Sequence, residues 1–147
     1  MFSVIRDKIE TKLGTIDSIQ EIKDYPSTKF NGFPAAMVTS TRNEAEFETT
    51  IHNKRNYVFT VFLLQEIESQ GESNARKIIE GVVDDVIKSF DEDDKLTGLQ
   101  AALDTADSNE TVIICYPLLS DIYTEPDTKH VVGELEIRVV ISFDITG

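Results

Sequence analysis

Residues 31–65, which read NGFPAAMVTSTRNEAEFETTIHNKRNYVFTVFLLQ, decide the fold of this chain. The pattern over residues 34–40 predicts a short strand with proline at its first position, where the missing N–H harms a strand ladder least. Residues 46–51 alternate polar and apolar side chains, which is typical of a half-buried strand. Residues 57–67 are rich in aromatic and β-branched residues. The stretch therefore predicts a β-hairpin with a long, apolar second arm.

The basic segment, His52, Asn53, Lys54 and Arg55, is the one positive stretch in an acidic chain and is predicted to form the tip of this hairpin. One interpretation is a contact with another subunit, through the acidic second helix of a neighbour, which would close head-to-tail into a ring. The other is a solvated hairpin end. The long arm is apolar on both faces, so we expect one face to meet a helix and the other a second subunit.

The flanking sequence predicts helices and a second hairpin. Apolar residues at three-to-four spacing predict helices over 3–13, capped by Ser3, and over 74–90. Inside the second helix Gly81 costs about 1 kcal/mol unless it permits close packing. A connector holds a short strand around 19–25, and Asp93 or Asp94 is expected to cap a short helical turn over 99–103. Strands are predicted over 112–123 and 131–145, joined by the turn EPDTKH.

These elements predict one α/β (α+β) domain over residues 1–147. Its sheet is mostly antiparallel and consists of two hairpins plus a short strand, with two main helices packed on one face. A length of 147 residues suits one domain with one core, and 40% hydrophobic with 28% charged residues suits a folded globular protein.

Charge and hydropathy exclude several classes of protein. A net charge of -13 argues against specific nucleic-acid binding, because phosphate contacts need clustered Lys and Arg, although an acidic wall would let DNA slide past. No apolar run reaches the roughly 20 residues that cross a bilayer, so no membrane partner is expected. We expect the mature chain to start at Met1 and to stay in the cytoplasm, where the single Cys115 remains reduced and buried.

A search for catalytic, cofactor and metal motifs gives none. Neither a P-loop nor a G-x-G-x-x-G pattern is present. His52 and His130 lie far apart in predicted turns. The acidic run that starts at Asp91 fails the EF-hand pattern, because Lys95 stands where an oxygen ligand is needed. We therefore expect no catalytic residues, no cofactor and no metal.

The order helix, short strand, hairpin, helix, hairpin, with GFPAAMV before the polar strand and NKRNYVFTVFLL after it, resembles the tail-terminator (tail-completion) family of long-tailed, lambda-like bacteriophages and prophages. The resemblance covers nearly the whole chain through loose patterns rather than catalytic signatures. It implies a structural virion protein that forms a ring, usually a hexamer, at the head-proximal end of the tail. It also implies that this ring caps the tail tube, ends tube polymerisation and provides the surface for head attachment.

Other functions stay open on sequence alone. The same particle contains head-tail connector and minor tail proteins of similar type. A small α/β enzyme or ligand-binding domain is a rival from another class, and a deep pocket with convergent polar groups would favour it. The partners expected from the resemblance are further copies of the chain, tail-tube protein and head-tail connector proteins.

Overall fold

The computed structural model describes residues 1–25, 29–47, 52–106 and 109–144 of the chain. Within them, the strands form one sheet in the order β1-β2-β3-β5-β4, and the β1–β2 pair is parallel while the other pairs are antiparallel. Helices pack on this sheet, so the predicted fold class is confirmed. The elements are α1 (Phe2–Gly14), β1 (Glu21–Lys23), β2 (Ala35–Phe47), β3 (His52–Glu66), α2 (Glu72–Asp91), α3 (Leu99–Ala106), β4 (Glu110–Glu125) and β5 (His130–Asp144).

The two main helices lie where their apolar spacing predicts. Their buried residues recur every three or four positions and pack with alternate residues of β3 and β5 into one core. The helix ends differ from prediction: α1 begins at Phe2 without a side-chain cap, so the Ser3 cap is wrong, and α2 begins at Glu72 after Gly71. The buried helical residues are Ile5, Ile9, Leu13, Ala75, Ile79, Val82, Val83, Val86 and Phe90.

One long strand, β2, replaces the two shorter strands predicted in the deciding stretch. It runs without interruption from Ala35 to Phe47, with a register shift between Ser40 and Arg42. Pairing with β3 on both sides of this shift satisfies the backbone of the polar residues, so they continue the ladder. The end of the predicted alternation, residues 48–51, lies outside the described residues. The short strand of the connector is β1, which pairs parallel to β2.

Two glycines near α2 have opposite surroundings. At Gly133, on β5 beneath the helix, a Cβ atom would lie 2.9 Å from Cγ2 of Ile79 and from Cγ2 of Val83. At Gly81, on the exposed side of α2, a Cβ atom would meet nothing within 4 Å. Close packing of helix on sheet therefore depends on Gly133, and Gly81 does not provide it.

Asp93 holds the loop between α2 and α3. Its carboxylate accepts hydrogen bonds from the Thr97 backbone N–H at 2.9 Å and from the Thr97 hydroxyl at 2.9 Å. The ammonium of Lys12 on α1 lies 3.3 Å away. Asp93 thus stabilises the turn before α3 rather than capping residues 99–103 as predicted, and α3 runs from Leu99 to Ala106. This bonding explains an acidic residue just after the C-terminus of α2, where the helix dipole disfavours it.

Candidate assembly surface

The basic segment does not form a hairpin tip. His52, Asn53, Lys54 and Arg55 are the first four residues of β3 and pair with β5, and Asn53 to Arg55 pair with β2 as well. Their polar character suggested a turn, but neighbours on both sides supply backbone partners that local composition cannot reveal. Asn53 is only 6% exposed, and its Oδ1 has no hydrogen-bond partner among the described residues, whereas Lys54 and Arg55 are half-buried.

The second face of β3 is covered within the chain itself. Val58 and Leu64, which point away from the helices, are 0% and 4% exposed, and Thr60 between them is 9% exposed. Phe62 remains half-buried. The expectation that this face needs another subunit is therefore wrong, because a central strand is shielded by side chains of the strands beside it.

Exposed apolar side chains instead gather on β4. Ile113 and Ile114 are each 37% exposed, Leu118 is 42% exposed and Leu119 is 50% exposed. Among the described strands, β4 is the last of the sheet and pairs with β5 alone. An exposed apolar group of this kind commonly marks a protein interaction site. Sequence reasoning missed it, although the run VIICYPLL holds more consecutive apolar residues than one buried face can use.

The first half of the β4 edge, Glu110 to Cys115, is closed by neighbouring elements; we call it the guarded half. The Gln100 side chain on α3 donates to the Glu110 carbonyl at 2.9 Å and accepts from the Val112 N–H at 2.8 Å, as an added strand would. The Cys115 N–H donates to the Asp94 carbonyl. Lys95 donates to the Ile113 carbonyl. Proteins protect strand edges against unwanted pairing in this way.

The second half of the edge, Leu118 to Glu125, is different; we call it the open half. Because the Cys115 N–H points away from β5, alternation points the backbone of Pro117 and Leu119 outward too. Pro117 has no N–H to offer, which suits an edge position. After the register shift between Leu119 and Asp121, the backbone N–H groups of Ile122 and Thr124 point away from β5. The Ile122 N–H bonds the Asp121 carboxylate at 2.8 Å.

Carboxylates surround the open half; we call Asp121, Glu125 and Glu134 the acidic rim. Asp121 and Glu134 are direct partners across β4 and β5. Burial raises the pKa of Tyr123, and the charges of Glu134, Glu125 and Asp121 raise it further. The apolar residues of the open half therefore lie in a region of negative potential.

The remaining candidates for chemistry do not converge. Burial, followed by the charges of Asp93 and Asp94, raises the pKa of Cys115 to about 12, so its thiol stays protonated at neutral pH. His52 and His130 begin strands rather than lie in turns, and they sit at opposite ends of β3, roughly 45 Å apart along the strand. No group of three or more His, Cys, Asp or Glu residues within the described ranges is placed to hold a metal.

His130 is buried at 6% exposure beside the ring of Phe33, 5.3 Å between centroids. Burial lowers its pKa, and the charge of Glu66 opposes this effect in part. Its Nδ1 has no hydrogen-bond partner in the described part of the chain. A buried imidazole that packs on an aromatic ring is typical of a residue that stabilises the fold.

A cleft of about 390 Å³ lies between the loop after α1 and the second half of α2. The Ser18 hydroxyl donates to Asp85 at 3.1 Å within it, and Lys88 and Glu92 complete its polar wall. The cleft is open to solvent and contains neither a histidine nor the cysteine. It does not provide the deep site with convergent groups that would favour an enzyme.

No protein-family model matches the chain, and no curated protein matches it. A chain in the solved structure of the virion of a native gene transfer agent particle matches with a TM-score of 0.46 and 11% identity, over 96% of this chain and 90% of that one. Within the described residues, no helix is long and apolar enough to cross a membrane.

Proposed function

We propose that this chain is a structural protein of a long-tailed phage particle that forms a ring on the tail tube. The observation that carries the proposal is the apolar edge strand β4, where Leu118 and Leu119 are 42% and 50% exposed on opposite faces of the sheet. Such a surface suits a subunit that is covered on assembly. The order of elements along the chain, which resembles the tail-terminator family, supplies the particular role.

The proposed mechanism is steric, and no bond is made or broken. The ring binds the last layer of tube subunits and hides the surface onto which a further layer would add. Its other face offers a surface to the head-tail connector proteins. The chain is thus proposed to act in the virion, at the head-proximal end of the tail, without a cofactor and without enzymatic activity. DNA would pass through the ring without specific contacts, as the net charge of -13 favours.

The ring contact proposed here joins the basic segment of one copy to the acidic outer side of α2 in the next. Lys54 and Arg55 lie at one end of β3, and Glu80, Asp84 and Asp85 are exposed on α2. Two different patches make a heterologous contact, which closes into a ring when the rotation between copies allows it.

Reversing the charge of Lys54 and Arg55 tests this contact. The double variant Lys54→Glu with Arg55→Glu should leave unfolding cooperative but shift the mass measured by light scattering from that of a hexamer to the 16.5 kDa of one chain. The matched control is Lys8→Glu with Lys129→Glu, which changes the net charge equally at two other sites. An unchanged mass in the test variant removes the basic segment from the interface.

Tube assembly in vitro tests the function itself. Tubes assembled from purified tail-tube protein of the same phage should stop lengthening when the chain is added. Electron microscopy should then show rings at the tube ends. Tubes that grow to unlimited length, with no chain at their ends, contradict the capping role. A chain that binds connector protein but leaves tube length unchanged would be a head-tail connector instead.

A further inference from the structure

The two halves of the β4 edge differ in a way that selects where a partner strand can add. In the guarded half, side-chain and loop groups occupy the outward backbone groups of Glu110, Val112 and Cys115. In the open half the outward N–H of Ile122 bonds the carboxylate of its neighbour Asp121, whereas those of Leu119 and Thr124 have no protein partner within the described residues. Pro117, between the halves, has no N–H to donate to an added strand.

The side chains of the open half determine which side chains an added strand needs on each of its faces. Leu119 points to the helix side of the sheet, directly opposite Leu135 of β5, and Ile122 follows on the same side. Asp121 and Glu134 point to the other side as a directly opposed pair. Like charges in that position destabilise a sheet. Neither carboxylate has a cation within salt-bridge distance among the described residues.

We propose that the open half of β4 takes up an extended strand from another protein, in which Lys or Arg residues alternate with apolar residues. The apolar residues pack beside Leu119 and Ile122, and the cations face Asp121 and Glu134. Main-chain hydrogen bonds to Leu119 and Thr124 supply affinity, and the alternating side chains supply specificity. This inference deepens the proposed function and rests on it for the source of the strand, which is the tail-tube protein.

A second copy of the chain is a poor occupant of this edge. Self-pairing of two open halves brings two acidic rims together, on a protein whose net charge is already -13. Juxtaposed like charges in an interface oppose association. A basic strand removes the repulsion between Asp121 and Glu134 instead of increasing it.

Binding of designed peptides tests the inference directly. One peptide of about eight residues, long enough to pair along the open half, alternates Lys with Val, and its counterpart alternates Glu with Val. Titration followed by amide NMR should show the Lys peptide binding at least about tenfold more tightly. Its affinity should fall as salt rises from about 0.1 to 1 M, because the screening length shrinks from about 10 to 3 Å.

Amide exchange identifies the mode of binding. The Lys peptide should slow exchange at Leu119 and Thr124, whose N–H groups face outward, and leave Tyr123, which faces β5, unchanged. Protection confined to the guarded half, or no change at Leu119 and Thr124, overturns strand addition.

Two variants and a control separate charge from apolar contact. Asp121→Lys with Glu134→Lys should reverse the preference, so that the Glu peptide binds more tightly. Leu119→Asp should weaken the Lys peptide about tenfold. Ile113→Asp, an equal change in the guarded half, should leave its affinity within about twofold. Equal binding of both peptides to the unaltered chain contradicts the proposal, as does self-association that Leu119→Asp abolishes.

Failure of this inference is distinguishable from failure of the proposed function. Binding of the Lys peptide with no effect of the chain on tube length leaves the open half as a strand-binding edge and removes the capping role. Tube capping that Leu119→Asp leaves intact, with no binding of the Lys peptide, leaves the capping role and removes this edge from it.

Discussion

Leu119 and Leu135 stand directly opposite each other on β4 and β5, yet one is 50% exposed and the other is 0% exposed. Leu135 belongs to the sheet face that the helices cover, and Leu119 belongs to the edge strand. The same residue type therefore stabilises the fold in one position and offers a contact surface in the other. Strand order decides which role a leucine has, because it determines whether a second layer lies above that residue.

Truncating each of the two leucines to alanine tests this difference with the largest expected effect on stability. Leu135→Ala should lower the free energy of unfolding by about 2 to 5 kcal/mol, because it removes buried methyl groups and leaves a cavity. Leu119→Ala should lower it by less than about 1 kcal/mol, because half of that side chain already contacts water. Urea unfolding at low protein concentration measures both values.

Varying the concentration of the Lys peptide provides a control for the comparison of Leu119→Ala with Leu135→Ala. If the open half binds the Lys peptide, the effect of Leu119→Ala on apparent stability should grow with the concentration of that peptide, since a ligand that binds the folded state stabilises it by mass action. Equal losses for the two variants in dilute solution would mean that Leu119 is buried in the single chain, which contradicts its exposure.

Gly133 beneath α2 and Gly81 on its exposed side allow a second test of how a covered position differs from an exposed one. Gly133→Ala should destabilise the chain by about 1 to 3 kcal/mol, because its Cβ would lie 2.9 Å from methyl groups of Ile79 and Val83. Gly81→Ala should stabilise it by up to about 1 kcal/mol, because alanine favours a helix and open space surrounds this site. Thermal and urea unfolding of both variants should show shifts of opposite sign. A stabilising Gly133→Ala would show that α2 can move away from the sheet without loss.

Sequence patterns predicted the covered face well, because its signals are local. Spacing on α2 and alternation on β5 identify their buried residues, since each period matches the geometry of its element. The role of Gly133 did not follow from these patterns. It continues the apolar alternation of β5, but only the helix above it shows why a side chain is excluded there.

The edge and the basic segment depend on non-local pairing, which sequence does not display. Lys54 and Arg55 look like a turn until β2 and β5 are placed on either side of them. Similarly, the apolar run of β4 looks like a buried strand until the order β1-β2-β3-β5-β4 leaves it at the margin. The role of Gln100 as an edge guard requires α3 to lie beside β4, which no motif indicates.

The smallest expected effect concerns Asp93, which fixes the loop that guards the first half of β4. Asp93→Ala removes the hydrogen bonds to Thr97 and the contact with Lys12, and should cost about 1 kcal/mol at neutral pH. It should also speed amide exchange at Cys115, whose N–H bonds the carbonyl of the neighbouring Asp94. Gln100→Ala, which opens the guard at Val112 instead, is the matched variant for that measurement.

This effect of Asp93 should depend on pH with a defined sign. Burial alone raises the pKa of Asp93, but hydrogen bonds from Thr97 and the charge of Lys12 outweigh it and hold the pKa below its ordinary value of 3.8. A carboxylate with a lowered pKa contributes stability above the pKa of the unfolded chain and loses it as pH falls through the folded value. The difference in unfolding free energy between the native chain and Asp93→Ala should thus be constant above pH 5 and shrink below about 3.8. A difference that persists unchanged at lower pH would show that Asp93 stabilises the loop through the hydrogen bonds with Thr97 rather than through its charge.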